Sequence, residues 1–157
     1  MNASKFFLKA ANSLITAVVA LFLILAAAYS GYALWDNAQV YAAVDDVQSE
    51  LMKLKPDPEQ KDGGASFEEL RKINPDVCGW ITLDHTKIDY PILQGEDNLT
   101  YINTDVYGDF ALSGSIFLDS GCDNTFQGKY SLLYGHHMAN HKMFGDLDLY
   151  RKKKFFD

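Results

Sequence analysis

Hydrophobic and polar positions divide this chain into three regimes. From Leu14 to Leu34 the residues are almost wholly apolar and none is charged. At about 1.5 Å per residue, a helix of that length crosses a hydrocarbon core of about 30 Å. Tyr29, Tyr32 and Trp35 gather at its far end in the manner of an interfacial aromatic belt. From Trp35 to Leu54 the pattern turns amphipathic. Val40, Val44, Val47, Leu51 and Leu54 recur at steps of four and three, which predicts a helix with one apolar face. From Ser66 onward, short apolar runs alternate with turn signals, the pattern of strands joined by loops and minor helices.

These regimes set the predicted organisation: a short terminus over 1–13, an anchor over 14–34, a juxtamembrane helix over 35–54, a linker over 55–65 and a domain over 66–157. The linker holds two prolines and two glycines, which break the helical pattern. Ser66 and Glu69 form a capping box for a helix over Phe67 to Ile73, and Asn74-Pro75 ends it. Trp80 to Leu83 and Ile88 to Leu93 read as strands around an Asp84-His85-Thr86 turn, and Pro91 argues for an edge or a bend. Asp97 to Asn103 reads as a helical turn, Ser113 to Leu118 as a strand and Asp119 to Gly128 as a polar loop. Tyr130 to Tyr134 reads as a short buried strand, and Met143 to Tyr150 as a short helix carrying Phe144, Leu147 and Tyr150. The expected fold class is mainly β, a sandwich or small barrel with N-terminal helices behind a transmembrane helix.

Charge adds direction. The net charge is −7, but residues 1–35 carry Lys5 and Lys9 and no acid, which leaves −9 on the remainder. The positive-inside rule puts the N-terminus in the cytoplasm and the domain outside, as a single-pass protein of the cell membrane held through residues 14–34. Ala26-Ala27-Ala28 resembles a signal-peptidase site, but the apolar run continues past it, which favours an uncleaved anchor. Both readings export the domain. So acidic a domain excludes a nucleic-acid partner. The two cysteines, Cys78 and Cys122, have no metal-type spacing and cannot build a disulfide scaffold. No cofactor is implied.

The candidate chemistry lies after the apolar run 130–134, where Gly135 leads into His136 and His137. A histidine delivered at the end of a core strand is held rigidly and still meets solvent, and imidazole titrates near neutral pH. His136 is the candidate proton-transfer residue. Cys122 lies in the polar loop, where Asp119 and Asp123 would raise a thiol pKa, so it reads as a structural thiol and not as a nucleophile. His137 and His141 are four apart, but Gly135 and Met138-Ala-Asn140 argue against a helix there. No third ligand completes a metal site.

Several ordered segments resemble a known family. Phe67-Glu-Glu-Leu-Arg-Lys-Ile-Asn-Pro-Asp-Val-Cys-Gly-Trp-Ile81 is followed by Ile88-Asp-Tyr-Pro-Ile-Leu-Gln-Gly95 and Gly114-Ser-Ile-Phe-Leu-Asp119. Leu133-Tyr-Gly-His-His-Met138 then comes with Met143-Phe-Gly145. From about Phe67 to the end the chain looks like a sortase of class B. The resemblance implies a membrane-anchored cysteine transpeptidase on the outside of a Gram-positive bacterium, built on an eight-stranded β-barrel with added helices. Its substrates would be secreted proteins bearing a C-terminal sorting signal, joined to an amine on a cell-wall precursor or a pilin. A thiolate would form a thioester with the cleaved signal, an arginine would steady the oxyanion, and the family's histidine maps onto His136.

One departure bears on activity. The family's Thr-Leu-x-Thr-Cys type motif and its later arginine do not occur in these 157 residues. The chain therefore reads as truncated, a partial barrel incomplete at its C-terminus and inactive alone. Unpaired edges and half a core would not be expected to make a stable domain. The alternative is a catalytically incomplete remnant or membrane-tethered interaction module that pairs with a partner through the 35–54 helix.

Overall fold

The computed structural model describes residues 3–57 and 64–156. It divides into two compact units at the Gln39/Val40 boundary. Helix α1, Ala3–Met52, runs through that boundary without a break. Over residues 3–39 every position is exposed, including the whole apolar run. This is the one helix among the described residues long and apolar enough to cross a membrane.

In the second unit, the end of α1 and helix α2, Gly64–Ile73, accompany a four-stranded sheet. The strands are β1 Val77–Thr82, β2 Asp89–Leu93, β3 Ile116–Leu118 and β4 Leu133–Tyr134, in the spatial order β1-β2-β3-β4. β1 pairs antiparallel with β2, β2 parallel with β3, and β3 antiparallel with β4. A separate two-stranded ribbon joins β5, His137–Met138, to β6, Lys142–Met143. One-turn and two-turn 3-10 helices cover Thr100–Ile102 and Gly145–Arg151, and a short α3 closes at Lys153–Phe156.

Two apolar cores flank the sheet, and strand alternation sorts residues between them. Tyr90, Ile92, Ile116 and Leu118 belong to the first, with Ile88 and Met143. Leu93 and Phe117 belong to the second, with Leu70, Val77, Tyr101 and Val106. Helix α1 contributes to both, Val44 to the first and Leu51 to the second. All five predicted apolar-face positions from Val40 to Leu54 are buried or half-buried. Val47 and Leu54 pack against the second core beside Leu51.

Polar clasps fix the same helix end to the β1–β2 hairpin. Gln48 Nε2 donates to the Lys87 carbonyl (3.3 Å), and Lys55 Nζ pairs with Asp89 Oδ2 (2.6 Å). Asp89 also accepts from Trp80 Nε1 (2.6 Å) and Thr82 Oγ1 (2.9 Å). Burial opposes its charge, but these donors and the Lys55 ammonium outweigh burial and hold its carboxyl below the usual range.

Four expectations change. By residue count the fold is not mainly β: about 49% is helical and 15% strand, because α1 takes 50 residues and the strand pairings are short. Pro91 lies in an interior strand. Leu83 N–H donates to the Ile88 carbonyl (2.9 Å), so alternation makes Trp80/Pro91 a non-hydrogen-bonded pair. The Pro91 nitrogen thus points away from β1, and pairing with β3 begins one residue later, at Ile92. The strand predicted over 130–134 shrinks to Leu133–Tyr134, and Tyr130 is 75% exposed. β3 offers only three residues before it turns into the 119–128 loop, so residues 130 and 131 have no ladder to join. Helix α2 begins at Gly64, before the predicted capping serine, whose side chain lies outside the described residues.

Two glycines with positive φ separate backbone strain from steric clash. A Cβ on Gly114 (φ 55°) would stand 2.2 Å from the Ile102 carbonyl oxygen, whereas one on Gly108 (φ 86°) would meet nothing within 4 Å. Gly108→Ala should therefore cost about 1 kcal/mol, and Gly114→Ala at least about 2 kcal/mol more. Urea midpoints of the two variants in detergent check the difference; equal midpoints would contradict this packing.

Candidate active site around His136

His136 stands two residues beyond β4, with Gly135 between. A Cβ on Gly135 would lie 2.3 Å from Ile116 Cδ1 and 3.0 Å from the Phe144 ring, so a side chain there would have to displace the buried Ile116 methyl. The His136 carbonyl accepts the Phe144 N–H (2.9 Å), which ties its backbone to the end of β6. The residue is half-buried, and among the described residues its ring makes no hydrogen bond. An imidazole with a fixed backbone and an unengaged ring can still exchange protons with a bound group.

Among the described residues neither thiol is hydrogen-bonded to its ring. Cys78 lies on β1 and His136 follows β4, the opposite edge of the sheet. With β2 and β3 between, those edges stand about 14 Å apart. The Cys78 thiol packs against the first core and donates to the Ile92 carbonyl (3.5 Å), and burial pushes its pKa up to about 11. A thiol held neutral in this way is a core residue, as its apolar neighbours in the sequence suggest. Cys122 is half-buried at the foot of the 119–128 loop, and its carbonyl accepts from Gln94 Nε2 (2.8 Å). Gln94 reaches the Asp119 carbonyl as well (2.9 Å), so one side chain pins both ends of that turn.

Asp119 connects the loop to β4. It accepts from the Gly121 N–H (2.9 Å), Asn98 Nδ2 (2.7 Å) and the Tyr134 hydroxyl (3.0 Å). The Gly121 N–H, followed by Tyr134, holds its carboxyl below the usual range, and the same carboxylate pushes the Tyr134 phenol up. An open groove of about 1260 Å³ lies elsewhere, along the free edge of β1. Cys78, Trp80, Arg71 and Phe126 line it, and His136 does not.

The other two histidines of this segment pair with acids. His137 Nε2 lies 3.1 Å from Asp148 Oδ2, and His141 Nδ1 bonds Asp146 Oδ1. No group of three or more His, Cys, Asp or Glu is gathered for a metal among the described residues. Sequence reasoning passed over Asp146, which is buried and accepts the Lys87 N–H (2.6 Å) through its second oxygen. It bridges the β1–β2 turn to the β5–β6 turn, a pairing 59 residues apart that leaves no local pattern to read. Burial opposes its charge, but the Lys87 N–H and the His141 ring prevail and hold the carboxyl below the usual range.

No family model matches the chain. Sortase B of Listeria monocytogenes is 36% identical over 129 residues, which cover 80% of this chain and 51% of that protein. Sortase B from Bacillus anthracis, solved in complex with AAEK1, superposes with a TM-score of 0.70 at 36% identity, covering 75% of this chain and 58% of that one. The chain belongs with the class B sortases. A Streptococcus pyogenes class B sortase involved in pilus biogenesis is 56% identical over 59% of this chain and 51% of its own, with a TM-score of 0.56. The chain spans about half the length of these sortases.

Asp146 gives this sortase-type fold a specific acid sensitivity. Its folded pKa is depressed, so its stabilisation is present above the unfolded value of about 3.9 and is lost as pH falls through the folded value. The urea midpoint should decline below about pH 4. Asp146→Asn should start lower at neutral pH and lose part of that decline, the rest belonging to carboxylates such as Asp89 and Asp119. An acid limb identical in the variant would contradict the role.

Proposed function

We propose that the protein carrying this sequence is a sortase-type cysteine transpeptidase in which His136 is the acid and base. The reading rests on one observation above all: Gly135 delivers a half-buried, unengaged imidazole from the end of β4 in a chain 36% identical to a sortase B. A thiolate attacks the carbonyl of the scissile peptide bond in a sorting signal, forming a C–S bond. The C–N bond breaks, and His136 gives its proton to the leaving amine. An incoming amine on a cell-wall precursor or pilin then attacks the thioester, gives a proton to His136 and releases the thiolate. An arginine steadies the oxyanion in both steps. The thiolate and arginine motifs of the family are not among these 157 residues, and of the three catalytic groups this stretch supplies the histidine.

The anchor follows from the same resemblance and from α1. Residues 14–34 cross the membrane once, the N-terminus stays in the cytoplasm, and the domain meets secreted proteins outside. The test is turnover of a sorting-signal peptide, with and without an amine acceptor, by the protein isolated from its native membrane. His136→Gln should lower kcat by about 10²- to 10⁴-fold with its urea midpoint retained. Unchanged turnover in that variant would remove His136 from the mechanism.

A further inference from the structure

The β5–β6 ribbon that follows His136 is too short to hold itself. It has two pairs, His137↔Met143 and Met138↔Lys142. Its turn places Asn140 and His141 at φ 57° and 64°, and Met143 sits at φ 49°. Left-handed backbone at a buried, long side chain persists only when its surroundings impose it. Those surroundings can be named. The Met143 N–H donates to the Tyr90 hydroxyl (3.0 Å), and the Met143 side chain packs in the first core with Val44 of α1. One position earlier, Lys142 is buried and its ammonium donates to Asp45 Oδ1, also on α1. A buried ammonium requires a partner, so this contact decides where β6 can lie. One position later, the Phe144 N–H holds the His136 carbonyl.

We propose that Asp45 is a positioning residue for His136, acting through Lys142 and the β5–β6 ribbon. The end of α1 thereby becomes part of the support of the site and not merely a stalk. The proposal rests on His136 as the acid/base group, but its physical content is independent of turnover. Removing the Asp45 charge leaves Lys142 buried and uncompensated, releases β6 toward solvent and lets the His136 backbone shift.

The test compares the full chain in detergent micelles with Asp45→Asn and Asp45→Glu. Amide exchange is followed residue by residue, together with the ring resonances of His136. Asp45→Asn should speed exchange at His137, Met138, Lys142 and Met143 roughly two- to fivefold, given that Asp45 itself is largely exposed. It should shift the His136 ring signals and leave Ile81, Ile92 and Phe117 unchanged. Asp45→Glu should restore both readouts toward the parent. Unaltered ribbon exchange and ring signals would overturn the proposal, as would a uniform acceleration across the sheet, which marks general destabilisation. If the ribbon responds as expected while the membrane protein shows no turnover, the functional reading fails and the positioning stands.

Discussion

The second unit depends on one constraint: a narrow sheet is apolar on both faces, and each face must be covered. Along β2 and β3 successive side chains alternate between two cores, Ile92, Ile116 and Leu118 on one side and Leu93 and Phe117 on the other. The end of α1 serves both, through Val44 and Leu51 two turns apart. Because that helix is anchored at two depths, its polar side chains have fixed addresses. Gln48 and, just past the helix end, Lys55 meet the β1–β2 hairpin, and Asp45 meets β6. The placement of His136 inherits this arrangement, since β4 hangs on β3 and the following ribbon hangs on α1.

Electrostatics reinforces the frame at its turns. Asp89, Asp119 and Asp146 each collect donors from separate stretches of chain, and each is held ionised against whatever burial it suffers. They close the β1–β2 hairpin, the loop before β4 and the turn after β5. The acidic composition is thus partly structural, and the carboxylates close to His136 in sequence are engaged elsewhere, Asp146 by Lys87 and His141 and Asp148 by His137.

Much of this was legible from local pattern. The five apolar positions from Val40 to Leu54 marked the covering face of α1, and the strands near 80 and 90 fell close to their predicted places. Gly135 precedes His136 in the sequence, and in the fold it approaches Ile116 and Phe144 closely. What escaped was everything that depends on distant partners. The apolar run 130–134 carries no sign that β3 would supply only three residues to pair with. Pro91 suggested an edge or a bend, but its missing N–H falls on the side where β3 has not yet joined. The parallel β2–β3 register and the Asp45–Lys142 contact, 97 residues apart, leave no periodic trace. Cys78 packs as a core thiol among neighbours that are apolar in sequence too, a local property.

The deciding observation is where an acyl group is carried. The protein from its native membrane would be incubated with a sorting-signal peptide, quenched in acid and digested, and the adduct mapped by mass. A hydroxylamine-labile thioester on a cysteine other than Cys78 or Cys122 is the predicted result. An adduct on Cys122, or no thioester at all, would contradict the assignment of His136 as the acid/base partner of a separate sortase thiolate.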